Sequence, residues 1–259
     1  MNYRLAFLAT TAIALPIFFT SCSTANTSKG QSDSNPQSVA SDAAPANSSR
    51  GHRKHSERGV ANARATGTTG KFDFYVMSLS WSPGFCATPA GRNDDIQCGQ
   101  QRHFAFVLHG LWPQYEQKGW PEDCTTERID NSTVERMLDI MPSPKLVLHE
   151  WEKHGTCSGL APTEYFAEAR EAFDSVKIPA KYQHPSNQIS VNPEELRREF
   201  AEANPKFGHD GFAVLCSNNG RYLQEVRACL YTDLDGRACN REVLHDECRS
   251  DAVIMRPVR

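Results

Sequence analysis

Eight of the nine cysteines in this 259-residue chain fall within one stretch, at Cys86, Cys98, Cys124, Cys157, Cys216, Cys229, Cys239 and Cys248. No other feature constrains the fold as strongly, because every crosslink would hold two segments within ~6 Å of each other. An even number in one stretch of an exported chain reads as a disulfide framework. Eight cysteines allow on the order of a hundred pairings, and spacing alone does not choose among them. No Cys-x-x-Cys spacing occurs, so a zinc cluster is poorly supported.

The start of the chain supplies the compartment. Met1-Asn2-Tyr3-Arg4 is short and basic, and the apolar run Leu5 to Phe19 is broken only by Thr10, Thr11 and Pro16. That is a signal-peptide core, too short for a comfortable membrane span. Residues 1–22 are therefore expected to be a leader, for export to the bacterial periplasm, the outer membrane or the medium. Phe19-Thr20-Ser21-Cys22 resembles a lipobox, with Cys22 the lipidated residue and membrane anchor; Ser23-Thr24-Ala25 is a competing cleavage site that would discard Cys22. Residues 23–70 are rich in Ser, Asn, Thr, Ala and Gly, bury too little apolar surface to order themselves, and are expected to be a tether. The remainder, 71–259, is long enough for one domain. It holds 21 Lys and Arg against 28 Asp and Glu, a net charge of −7. A protein that tracks long nucleic acid by charge would be basic, whereas an acidic body with one cationic site suits an enzyme that grips one phosphate at a time.

Within that domain, Phe72, Phe74 and Val76 alternate as in a strand, and Phe104 to Leu108 predicts another that delivers His109 at its end. Ser132-Thr133-Val134-Glu135 is a capping-box pattern opening a helix with Met137, Leu138 and Met141 inward. Thr163 to Val176 carries Tyr165, Phe166, Ala169 and Phe173 at helical spacing, and Asn192-Pro193-Glu194-Glu195 opens a further helix. Phe212 to Cys216 and Tyr222 to Tyr231 read as strands around a Ser217-Asn218-Asn219-Gly220 turn. Helices in the middle with strands around them predict an α+β domain.

Two short segments carry the chemistry: His109-Gly110-Leu111-Trp112-Pro113 and His149-Glu150-Trp151-Glu152-Lys153-His154-Gly155. On a helix turning ~100° per residue, Lys153, Glu150 and His154 lie at about 40°, 100° and 140° from His149, so all four are predicted to share one face. A His-Glu-x-x-His zinc site fails here, because the position of the second ligand is Lys153. Imidazoles beside a lysine can hold an anionic group and move protons near neutral pH, which suits phosphate chemistry. His109 supplies the second acid or base such chemistry needs.

These two segments, with Phe74-Tyr75-Val76, Trp81-Ser82-Pro83-Gly84 and Leu223-Gln224-Glu225-Val226-Arg227-Ala228-Cys229, resemble the ribonuclease T2 family over roughly residues 71 to 250. The resemblance implies a central antiparallel sheet flanked by helices, and disulfides joining Cys124 to Cys157, Cys216 to Cys248, Cys229 to Cys239 and, as the remainder, Cys86 to Cys98. It implies a monomeric endoribonuclease that cleaves single-stranded RNA, not DNA, by attack of the 2′-hydroxyl, through a 2′,3′-cyclic phosphate to 3′-phosphate ends. No cofactor or metal is implied. His154 would be the base and His109 the acid, Lys153 would stabilise phosphoryl charge with help from Glu150, and His149 would hold the phosphate; residue types alone do not fix which histidine does which job. Trp112 and Tyr115 are candidate base-stacking rings beside His109. Leu146, at the implied second base subsite, offers an apolar wall and no ring, which predicts little base specificity. The alternative is a toxin-like RNA-binding module of the same fold without catalysis, for which the set His109, His149, Lys153 and His154 would be unnecessary.

Overall fold

The structure is a computed structural model, and it describes residues 67–217 and 219–259. The expected leader over 1–22, Cys22 and its anchor, and the expected tether up to residue 66 lie outside the described residues. Residues 67–70, expected at the end of the tether, lie against the domain. Gly70 N donates to the Cys157 carbonyl at 2.9 Å, and a side chain at Gly67 would collide with Cys124 Sγ.

Six strands and eight helices follow in the order β1 (Phe74–Trp81), α1 (Ser82–Cys86), α2 (Asp95–Cys98), β2 (Phe106–Gln114), α3 (Asn131–Glu135), α4 (Pro144–Lys153), α5 (Pro162–Ser175), α6 (Ala180–Gln183), β3 (Ile189–Val191), α7 (Pro193–Ala203), β4 (Phe212–Cys216), β5 (Leu223–Leu230), α8 (Arg241–His245) and β6 (Val253–Met255). Four strands form an antiparallel sheet in the order β2-β1-β5-β4, and β3 pairs with β6 beside it. This is an α+β fold with a central antiparallel sheet.

The sheet is covered on both faces, and β1 shows why simple alternation misreads it. Tyr75, Met77, Leu79 and Trp81 point into the main core with Tyr165, Phe166, Phe200 and Phe212, while Phe74 and Val76 join a smaller cluster with Ala213, Leu215 and Cys229. Both sets are buried, so the strand reads as a continuous apolar run. Phe72 lies before the strand, its ring 4.7 Å from that of Tyr75.

Helix starts follow local chemistry. Ser143 caps α4 by accepting from Leu146 N, Asn192 caps α7 by accepting from Glu194 N, and each is followed by proline in the first turn. The capping-box expectation at Ser132 is corrected: the cap is Asp130, which accepts from Thr133 N at 2.7 Å. Its helix ends at Glu135, although Met137 and Met141 still turn into the core.

The disulfides join Cys86 to Cys98, Cys124 to Cys157, Cys216 to Cys248 and Cys229 to Cys239, the pairs the resemblance implies. The second ties the loop after β2 to the turn after α4. The two histidine-bearing segments are thereby held in one frame.

Candidate active site

His109 does not end its strand, as the sequence predicts, but sits inside β2 at a bulge. Ser78 pairs with Gly110 and Leu79 with Leu108, which leaves His109 as the extra residue. The bulge solves a packing conflict: Leu108 and Leu111 are three residues apart, yet both enter the main core. Strict alternation would send one of them to the opposite face.

On that opposite face β1 contributes the small Ser78 and Ser80, and Glu225 and Arg227 stand beside them on β5. His109 reaches across to Glu225, with Nδ1 2.8 Å from Oε1. The second oxygen of Glu225 accepts from Arg227 Nε at 3.2 Å.

The end of α4 completes the cluster. Trp151 anchors the helix from behind, fully buried, its indole N–H donating to the Glu127 carbonyl at 2.7 Å. Glu150 and His154 then point inward, while Lys153 is half-exposed with Nζ 3.4 Å from Glu122 Oε2. His149, predicted to share a helix face with these three, is exposed, whereas Glu150 and His154 are buried. The helix stops at Lys153, and His154 is its cap residue.

Trp112 sits between the two halves. Its ring centroid lies 5.3 Å from that of His109 and 5.5 Å from that of His154, and its N–H donates to Glu150 Oε2 at 2.6 Å. Gly110 makes this possible, since a Cβ there would collide with Glu150 Oε2 and Trp112 Nε1. The Glu150 Oε1 atom lies 3.7 Å from His109 Nε2.

These contacts push the two imidazoles in opposite directions. Burial disfavours the His109 cation, but the hydrogen bond and charge of Glu225, with the charge of Glu150, outweigh it and hold its pKa above the usual imidazole value. Burial acts on Glu225 in the unfavourable sense too, yet His109 and Arg227 hold its carboxyl below the usual range. His154 is buried without a carboxylate; burial, then the charges of Lys153, His149 and His109, push it down to about 3. Its Nδ1 is buried and has no hydrogen-bond partner in the protein. Glu150 is pushed up to about 7 by burial, against the pull of His109 and the Trp112 N–H. The site thus holds one imidazole that favours its proton and one that refuses it, the arrangement proton transfer in two directions requires. Among the described residues, no three His, Cys, Asp or Glu side chains converge as a metal site.

The family model described as the Ribonuclease T2 family matches residues 72–239, which span both histidine-bearing segments and the Glu225 strand. The chain belongs to the ribonuclease T2 family. It is 36% identical over 205 residues to a ribonuclease of Aeromonas hydrophila, covering 76% of this chain and 91% of that one. It is 24% identical over 206 residues to ribonuclease I of Escherichia coli K12, covering 63% of this chain and 77% of that one. The solved structure of trichomaglin, described as a novel S-like ribonuclease, shares the fold with a TM-score of 0.59 at 19% identity, covering 73% of this chain and all of that one. As a T2 ribonuclease the protein is an endoribonuclease, and RNA is its substrate.

Two cavities adjoin the site in this T2 ribonuclease, and Trp112 lines the smaller. One, of about 240 Å³, is lined by Trp112, Lys153 and His154 together with Trp120 and Arg227. The other, of about 750 Å³, opens from His109 and Glu225 past Leu146 toward Tyr222 and Arg256. Tyr115 lines neither; its backbone closes a turn with Gly119 and accepts from Asn240. The Trp112 ring has the Arg227 guanidinium carbon 5.2 Å from its centre, in addition to the two imidazoles near it. Trp120, 47% exposed on the smaller cavity, is the ring available for stacking there.

Glu225, Arg227 and Trp120 are site residues that sequence reasoning missed. A signal for the first existed: Glu225 is an acid in a strand otherwise rich in apolar residues, inside a segment that already resembled the family.

Proposed function

We propose that this protein cleaves single-stranded RNA without a metal ion, by attack of the 2′-hydroxyl on the adjacent phosphorus. The observation that carries the reading is the opposed setting of His109 and His154, one held protonated and the other neutral, with both rings close to the Trp112 indole. Neutral His154 takes the 2′-hydroxyl proton. The new O2′–P bond forms as the P–O5′ bond breaks, and cationic His109 gives its proton to the departing 5′-oxygen. The products are a 2′,3′-cyclic phosphate and a 5′-hydroxyl. In the reverse sense His109 then takes a proton from water, which opens the ring to a 3′-phosphate while His154 returns its proton.

Charge growing on the phosphoryl oxygens falls to Lys153 and Arg227, which line the cavity of His154. His149, exposed one turn before Lys153, adds to phosphate holding when protonated. Glu225 acts as a positioning residue: it fixes the His109 tautomer with its proton on Nδ1 and stabilises the cation, while Glu150 supports the same cation from the Nε2 side. Leu146 and Phe85 give the larger cavity apolar walls that accept any base, which supports low base specificity. The four disulfides support an oxidising compartment. We place the protein outside the cytoplasm as a monomer, attached to a membrane through lipidated Cys22.

A digest of mixed-sequence RNA in chelator, with mass analysis of the ends, tests the reaction. Cyclic phosphate and 5′-hydroxyl ends are expected, with DNA and 2′-O-methyl RNA left intact. Cleavage of DNA, or 5′-phosphate ends appearing only with added metal, would overturn it.

A further inference from the structure

The larger cavity has a wall that the mechanism leaves unused. Tyr222 lines it, and the Arg256 guanidinium carbon lies 4.2 Å from the centre of the Tyr222 ring, with that of Arg221 at 5.4 Å. This wall is rigidly built. Ile254 N donates to the Arg221 carbonyl at 2.8 Å, and the buried Trp81 indole donates to the Arg256 carbonyl at 3.1 Å. The backbone of Arg256 is thus tied to the end of β1, and its side chain is laid against an aromatic ring.

Among the described residues, the Arg256 guanidinium makes no hydrogen bond and no ion pair with a carboxylate. Stacking occupies its face and leaves its edge donors available, the form in which arginine binds phosphate with two parallel hydrogen bonds. The charged groups that line the cavity are His109, Glu225, Asp94 and Arg256. Glu225 is taken up by His109 and Arg227. Asp94 accepts from Gln97 N and would repel a phosphate, but can accept from a base amino group. A phosphate in this cavity therefore belongs at Arg256.

Leu146, at the second base subsite that the resemblance implies, lines this cavity, and we propose that Arg256 there binds the phosphate that follows the leaving nucleotide on the 3′ side of the cut. The polarity rests on the reading of His109 as the acid for the 5′-oxygen, because His109 lines this cavity while His154 lines the other. At about 750 Å³ the cavity is in the ~300–1,000 Å³ range of ligand sites.

Three 2′-O-methyl ligands test it by calorimetry: a dinucleoside monophosphate, the same with a 3′-terminal phosphate, and the same with a 5′-terminal phosphate. The 3′-phosphate is expected to tighten binding roughly tenfold in the native protein and not in Arg256→Gln. Turnover of the unmodified dinucleoside monophosphate should be unchanged by Arg256→Gln, since it lacks that phosphate. Equal gains from the 3′-phosphate in both proteins, or no gain in either, would overturn the proposal. Sensitivity of the 5′-phosphate instead would overturn the polarity. A substrate with sulfur as the 5′-bridging atom, whose departure needs no acid, separates the two readings. If it restores His109→Ala while Arg256→Gln has no effect, the phosphate site alone fails; if it does not restore His109→Ala, the acid assignment and the polarity fail together.

Discussion

His109 and Glu225 lie 116 residues apart in the chain and meet at 2.8 Å across an intervening strand. The contact depends on a bulge that turns His109 out of register and on serines, not larger residues, in β1 between them. It gives His109 its raised pKa and, in the proposed reaction, its role as acid.

That contact sets the alkaline side of the pH profile. The rate constant kcat/KM requires neutral His154 and cationic His109, so it should be bell-shaped with its peak on the acidic side of neutrality. Replacing Glu225 by Gln removes the negative charge but keeps an acceptor, and should move the alkaline limb to lower pH while KM changes little. An unshifted limb in a folded Glu225→Gln protein would show that His109 is not the group titrating there.

The proposed proton transfers predict that His109→Ala and His154→Ala each lose at least the ~10²-fold typical of a general acid or base in kcat. Circular dichroism and the disulfide content should remain native. Near-normal turnover of a folded His154→Ala protein would contradict the assignment of the base.

His154 and Glu150 should have opposite effects on stability. The folded-state pKa of His154 is depressed to about 3, so its contribution is fully present above the unfolded value near 6.5 and is lost as pH falls toward 3. Glu150 is raised to about 7, so its contribution is present below about 4.5 and lost as pH rises through 7. The ends of these ranges differ by about 5 and about 3 kcal/mol respectively, if each group acted alone. His154→Gln should therefore raise Tm at pH 4 and not at pH 8, whereas Glu150→Gln should raise it at pH 8 and not at pH 4. Thermal melts at the two pH values check both, and parallel shifts at both would remove the buried ionisations as the cause.

The Cys124–Cys157 bridge closes a 33-residue separation, for which the loss of chain entropy in the unfolded state corresponds to about 3 to 4 kcal/mol. The double variant Cys124→Ser, Cys157→Ser should unfold at correspondingly lower denaturant. It should also lose activity before it loses helix signal, because the bridge adjoins Lys153 and His154. Activity and circular dichroism that decline together in urea would contradict that order.

If Cys22 carries a lipid, the mature protein has no free thiol when unfolded without reductant and partitions into detergent. Cys22→Ser should move to the aqueous phase. A Cys22→Ser protein that stays with membranes would refute the anchor.

The sequence by itself determined the broad class of fold and brought out the candidate reactive residues. His109, Glu150, Lys153 and His154 stood out as candidates because short motifs encode chemistry locally, and the helix start at Asn192 was legible because caps and prolines act within one turn. Local periodicity also indicated that strands and helices share one domain. What only the tertiary structure decided is how those residues are electrically tuned. A pKa depends on what lies within a few ångströms in space, and the charged partners of His109 come from a distant strand, β5, and a helix, α4. Glu225 therefore went unassigned, and the sequence did not show that His149 is exposed while Glu150 and His154 are buried. The bulge at His109 was equally illegible, because it arises from the demand that Leu108 and Leu111 both enter one core, a condition the sequence states only once the sheet has paired.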